Sequence, residues 1–126
     1  MIFGIGTDIV QVGRMKKNLE RFGDRFPRRI LTEQELNEYR NEKKPAHFLA
    51  RRFAAKEATV KAMGMGFSGG LGWRQIGVNH DARGKPLLEF NGFALEFVEK
   101  KGITDSHVSL ADEDEYAVAV VALYSA

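Results

Sequence analysis

Four alanines at four-residue spacing, Ala50, Ala54, Ala58 and Ala62, constrain this chain more than any other feature. Residues four apart lie along one ridge of a helix, so within the segment from Phe48 to Gly64 they form a smooth column against which another backbone can pack closely. The neighbouring column, Leu49, Phe53, Glu57 and Lys61, begins apolar and ends charged. Glu57 therefore borders a tightly packed surface rather than open water, and a carboxylate there needs a partner. One candidate is Lys61, in an i,i+4 pair worth roughly 0.2–0.5 kcal/mol. The other is a metal ion, with Lys61 then aimed at an anion, and this option depends on a second carboxylate elsewhere.

Asp8 is that second carboxylate. The run Met1 to Val10 is apolar and β-branched enough to form a strand, and alternation sends Phe3, Ile5, Thr7 and Ile9 to one face and Gly4, Gly6 and Asp8 to the other. Glycine inside a strand marks a place where a ligand or another backbone comes close, so the acid beside two glycines suggests the floor of a pocket. A strand-end aspartate satisfied by backbone N–H groups is the simpler alternative.

At 126 residues and 44% hydrophobic composition, the chain suits a single domain, residues 1–126, with a real core. It has no cysteine, which excludes disulfides, a thiolate nucleophile and a sulfur metal site. No apolar run approaches the ~20 residues of a membrane span, and the amino terminus lacks the features of a signal peptide. A soluble, cytoplasmic protein without membrane association is the expectation. Charge is unevenly divided: residues 1–61 carry fourteen Lys/Arg against eight Asp/Glu, and residues 62–126 carry five against nine. In the basic half, Val12, Met15, Leu19, Phe22 and Phe26 form an apolar helical stripe with Gly23 breaking it. Arg14, Lys17, Arg21, Arg25 and Arg28 follow on a neighbouring face. That ridge is either a solvated face or a dock for an acidic partner.

Elsewhere the elements are short. Thr32-Glu33-Gln34-Glu35 is a capping box opening a helix to about Arg40, and Pro45 suits the first turn of the 46–63 helix. Gly64 to Gly72 is a glycine-rich loop, either a helix cap and turn or a wall of backbone N–H groups for a phosphate; it lacks the ending of a P-loop. Ile76-Gly77-Val78 and Leu87 to Phe90 read as a hairpin. Asn91 opens a helix that stops at Gly102, and His107 to Leu110 and Tyr116 to Leu123 read as strands around the acidic turn Asp112-Glu113-Asp114-Glu115. This order predicts an α+β fold, a small, largely antiparallel sheet packed with a long helix.

Gly4-Ile5-Gly6-Thr7-Asp8-Ile9-Val10, the run Phe53-Ala54-Ala55-Lys56-Glu57-Ala58 followed by Lys61-Ala62, the segment Asn79 to Pro86 with Gly84-Lys85-Pro86, and His107-Val108-Ser109-Leu110 resemble the holo-[acyl-carrier-protein] synthases, the small bacterial 4′-phosphopantetheinyl transferases. The match spans nearly the whole chain in order. The resemblance implies a Mg²⁺-dependent transfer of the 4′-phosphopantetheine arm of coenzyme A to a serine of apo-acyl carrier protein, releasing adenosine 3′,5′-bisphosphate. It implies a homotrimer with active sites between subunits and a place in fatty acid biosynthesis. On that pattern Asp8 and Glu57 bind the metal, Lys61 meets the pyrophosphate, and His107 lies near the adenosine phosphate end of coenzyme A, with Gly64 and Pro86 also on the coenzyme. Arg14 and Arg21 belong to the helix that meets the carrier protein. Some relatives have a histidine where Ala111 stands, so no mechanism using that histidine as base operates here.

The chemistry agrees with the residues. Mg²⁺ is held by one or two carboxylates with water and phosphate completing its shell. Charge building on phosphoryl oxygens during attack by a serine is stabilised by a metal and a lysine without covalent catalysis, and the serine proton falls to Glu57 or to a metal-bound water. Two other classes compete. A nucleic-acid-binding module would use the arginine ridge, yet aromatic platforms and recognition-helix motifs are missing. A purely structural oligomer would need neither Asp8 nor Glu57.

Overall fold

The computed structural model describes all 126 residues. Strand β1 (Ile2–Gln11) leads into helices α1 (Val12–Phe22), α2 (Arg25–Ile30) and α3 (Glu33–Tyr39), then the long helix α4 (Pro45–Ala62). A 3₁₀ turn at Trp73–Gln75 precedes β2 (Ile76–His80) and β3 (Pro86–Phe90). Helix α5 (Gly92–Lys100) and strands β4 (Ile103–Asp112) and β5 (Tyr116–Ser125) complete the chain. The α+β expectation holds, with one refinement: the strands form two antiparallel sheets, a three-stranded one in the order β1-β5-β4 and the hairpin β2-β3.

The alanine column sets the architecture. Ala50, Ala54, Ala58 and Ala62 are all buried, and α4 lies across the three-stranded sheet against β1 and β5. The backbone that approaches them is β1 itself. A Cβ on Gly4 would stand 1.9 Å from the carbonyl oxygen of Ala62, and one on Gly6 would stand 1.8 Å from that of Ala58. The glycines next to Asp8 are thus where the helix backbone sits, not the floor of a ligand pocket. On β5, Ala117, Ala119, Val121 and Leu123 point the same way and are fully buried, so small side chains line the seam from both sheet strands. Gly6→Ala is therefore expected to force β1 and α4 apart and lower stability by about 1–3 kcal/mol, the usual range for overpacking. Denaturant unfolding that moves by less than about 0.5 kcal/mol would show that the seam is not tight.

The opposite face of the same sheet is apolar and uncovered. Ile5 and Ile9 are 61% and 62% exposed, and Val120 and Tyr116 are 45% and 44% exposed. Strand β5 is therefore hydrophobic on both faces, the pattern of a strand covered on both sides, although only one side is covered within the chain.

Caps and breaks follow local chemistry. Gly23 ends α1 at φ 60°, and Thr32 and Glu35 form the expected reciprocal capping box. Asn91 precedes α5 but does not cap it with its side chain, which donates instead to the carbonyl of Arg74. The acidic turn is exposed; its Asp112 receives Arg51 at 3.1 Å.

Candidate active site

Where β1 crosses the carboxyl-terminal half of α4, three of the expected residues meet. Asp8 projects from the face of β1 that carries Gly4 and Gly6, and the antiparallel register with β5 places it opposite Ala119. Lys61 Nζ donates to Asp8 Oδ1 at 3.1 Å and to the carbonyl of Thr7 at 3.1 Å. This corrects the helix-internal alternative: Lys61 pairs with Asp8 across the seam rather than with Glu57 one turn away. The reason is tertiary, since β1 is drawn against α4 by its glycines and offers a second carboxylate within reach.

Glu57 is half-buried and enters no ion pair. Burial, then the negative charge of Asp8, hold its carboxyl above the ordinary carboxylate range, with Lys61 and Arg14 opposing them. A desolvated carboxylate whose proton affinity is raised by a neighbouring one forms with it a pair that a divalent cation would keep deprotonated. No group of three or more His, Cys, Asp or Glu side chains is placed to hold a metal ion. A two-carboxylate donor set fits Mg²⁺, which retains water and phosphate ligands, and does not fit a closed zinc site.

Arg14 borders this site instead of standing away from it. Its guanidinium lies 5.7 Å from the ring centroid of Phe53, one turn before Glu57 on α4. Phe53 in turn packs tilted against Trp73, at 4.6 Å between centroids, and Trp73 stacks on Phe67 of the glycine-rich loop at 3.9 Å. Arg21 is farther along α1, exposed, with its guanidinium 5.1 Å from the ring of its neighbour Phe22. Gly64 takes φ 76° just past the end of α4, and its N–H donates to the carbonyl of Lys61, so it terminates the helix as the C-capping alternative requires.

His107 and Pro86 are not brought to Asp8. His107 lies on the uncovered face of the three-stranded sheet, opposite Ala122 in the register and edge-on to Tyr124 at 5.6 Å. Pro86 lines a cleft of about 300 Å³ with Arg51, Arg52, His80 and Gly84. Within that cleft Arg52 Nε is buried with no hydrogen-bond partner.

Sequence reasoning missed a buried ionic cluster behind the site. Lys56 is wholly buried next to Glu57 in the sequence, and its Nζ donates to Glu35 Oε1 at 2.7 Å and to the carbonyls of Trp73 and Ile76. Glu35 Oε1 also accepts the Thr32 N–H, and Oε2 accepts the Val78 N–H at 2.9 Å. Arg52 lies 3.7 Å from Glu35 and 3.3 Å from Glu38. One acid thus ties α3, α4 and β2 together.

The geometry can be set beside known proteins. A profile of the 4′-phosphopantetheinyl transferase superfamily matches residues 4–121. A holo-[acyl-carrier-protein] synthase of Nitrosococcus oceani is 57% identical, over 98% of this chain and 80% of the relative. The chain belongs to the holo-[acyl-carrier-protein] synthase family. Its fold agrees with solved synthases. The crystal structure of the Neisseria meningitidis synthase superposes at a TM-score of 0.93 with 44% identity, covering 99% of this chain and 100% of that one. The Bacillus anthracis synthase, solved in complex with coenzyme A (3′,5′-ADP), superposes at 0.84 with 38% identity, covering 100% and 99%. The Asp8–Glu57–Lys61 convergence is therefore found in a 4′-phosphopantetheinyl transferase.

Proposed function

We propose that this synthase-family chain transfers the 4′-phosphopantetheine arm of coenzyme A to a serine of apo-acyl carrier protein, with Mg²⁺ bound at Asp8 and Glu57, releasing adenosine 3′,5′-bisphosphate. The observation that carries the reading is the meeting of two carboxylates and one lysine at the β1–α4 seam. When bound, Mg²⁺ would neutralise charge building on the phosphoryl oxygens. Lys61, on a flexible and half-exposed stem, reaches the pyrophosphate and offsets the remaining charge. The serine proton would fall to Glu57 or to a water held by the metal. Gly64 leaves a surface without a side chain beside Lys61 for the coenzyme.

The adenosine end requires a second subunit. Neither Asp8, Glu57 nor Lys61 lines the Pro86 cleft, and His107 lies across the sheet from Asp8. A neighbouring copy seated on the uncovered sheet face would cover Ile5, Ile9, Val120 and Tyr116. We assign to that copy the His107 and Pro86 that complete the coenzyme site. A homotrimer with intersubunit sites is the assembly we assign. We place it in the cytoplasm, in fatty acid biosynthesis; no helix is long and apolar enough to cross a membrane.

The test is direct. Incubation with coenzyme A, Mg²⁺ and apo-carrier protein should add one phosphopantetheine mass to the carrier, and chelation with EDTA should prevent it. No mass gain, or a gain indifferent to EDTA, overturns the reading.

Carrier docking separates Arg21 from Arg14. Arg21 is exposed and remote from Glu57, so Arg21→Glu should raise the apparent KM for carrier protein by roughly tenfold while coenzyme A affinity holds, and should flatten the salt dependence of association. Arg14 faces Phe53 and acts on Glu57, so Arg14→Glu should lower kcat as well. Equal salt sensitivity in Arg21→Glu and the native enzyme returns the ridge to a solvated face.

A further inference from the structure

We propose that Lys61 is an exchangeable counter-ion: a divalent cation entering the Asp8–Glu57 pair displaces the Lys61 ammonium from Asp8 Oδ1, and the freed side chain turns outward to take the diphosphate that arrives with the cation. The inference rests on the reading of Asp8 and Glu57 as metal ligands and adds a linkage between metal and substrate. The ammonium holds Asp8 Oδ1 at 3.1 Å. A cation of the Mg²⁺ class approaches a carboxylate oxygen to about 2.1 Å, so both on one oxygen would stand within about 5 Å of each other as like charges.

The two partners differ in freedom. The Asp8 side chain is 16% exposed and anchored on a central part of β1, whereas that of Lys61 is 51% exposed and held otherwise by one backbone carbonyl. Lysine is the group that moves. Its four-carbon stem allows a swing without disturbing α4, and the only contacts given up are those to Asp8 and Thr7. Glu57 carries no ion pair and needs no exchange. Cation and diphosphate then favour one another through Lys61: the cation frees the ammonium, and the diphosphate keeps it from returning. Such coupling acts equally in both directions.

Binding of Mn²⁺ alone, followed by the electron paramagnetic resonance of free Mn²⁺ with the full chain and no nucleotide, reads the exchange without turnover. Lys61→Met removes the competing charge and keeps the stem, so its Mn²⁺ Kd should fall about tenfold, within the 5–150-fold range of typical couplings. Added coenzyme A should tighten Mn²⁺ markedly in the native protein and much less in Lys61→Met. A Lys61→Met protein that binds Mn²⁺ no more tightly than native, with Asp8→Asn still abolishing that binding, overturns the exchange and leaves the metal site standing. Mn²⁺ binding indifferent to Asp8→Asn overturns the metal reading, and the exchange with it.

Discussion

Replacing Glu35 with glutamine, which keeps the shape and removes the charge, is expected to lower folding stability by about 3–5 kcal/mol. The Lys56 ammonium would be left wholly buried with only uncharged acceptors, the new amide oxygen and the carbonyls of Trp73 and Ile76. Burial already pushes the Lys56 ammonium toward its neutral form, and Glu35 is the main force holding it charged. A buried charge that loses its partner retains its desolvation penalty without the compensating attraction. Lys56→Met in the mirror experiment leaves Glu35 with its two backbone donors and the more distant Arg52 guanidinium, so its loss should be smaller.

The double substitution Glu35→Gln, Lys56→Met decides between a charge effect and a shape effect. If the cluster matters through the unpaired charge, the double variant should recover a large part of the loss and be more stable than Glu35→Gln alone. Chemical denaturation of the three variants measures this as a double-mutant cycle. Additive losses would show that the two side chains act independently, which a 2.7 Å contact between them does not predict.

Much of this was legible from local pattern. The capping box at Thr32, the break at Gly23, the long helix from Pro45 and the two terminal strands each depend on chemistry within a few residues, and each appears as expected. The alanine column announced a close backbone, and Gly4 and Gly6 announced a close approach. What spacing alone could not show is that the two signals are the two sides of one contact, because their pairing joins residues more than fifty positions apart. The same distance explains Lys61: four-residue spacing favours Glu57, and only the docking of β1 offers it Asp8. The second use of Glu35 was hidden for a related reason. A glutamate at the third position of a capping box is fully explained by the cap, and nothing local requires that Lys56 and the Val78 N–H also converge on it. Pro86 and His107 belong to segments that resemble the family's, yet within the chain they lie apart from Asp8.

The two carboxylates give the sharpest functional expectation. Asp8→Asn and Glu57→Gln each keep side-chain volume and remove one negative charge, so each should reduce transfer to carrier protein by about 10²–10³-fold at saturating Mg²⁺. Stability should hardly change. Asp8→Asn loses an ion pair to a half-exposed lysine, an interaction of roughly 0–1 kcal/mol. Glu57→Gln removes a charge that burial and Asp8 already disfavour, so at neutral pH it should leave the melting temperature unchanged or slightly higher. The sign follows from linkage: a carboxyl whose folded-state proton affinity is raised weakens the fold as pH climbs past its unfolded value, and the neutral amide is free of that loss. Mass spectrometry of the carrier protein beside thermal unfolding of each variant separates the two effects. Near-native transfer in either variant would show that Asp8 and Glu57 do not together hold the metal. A collapse of stability along with activity would instead place these side chains among the supports of the β1–α4 seam.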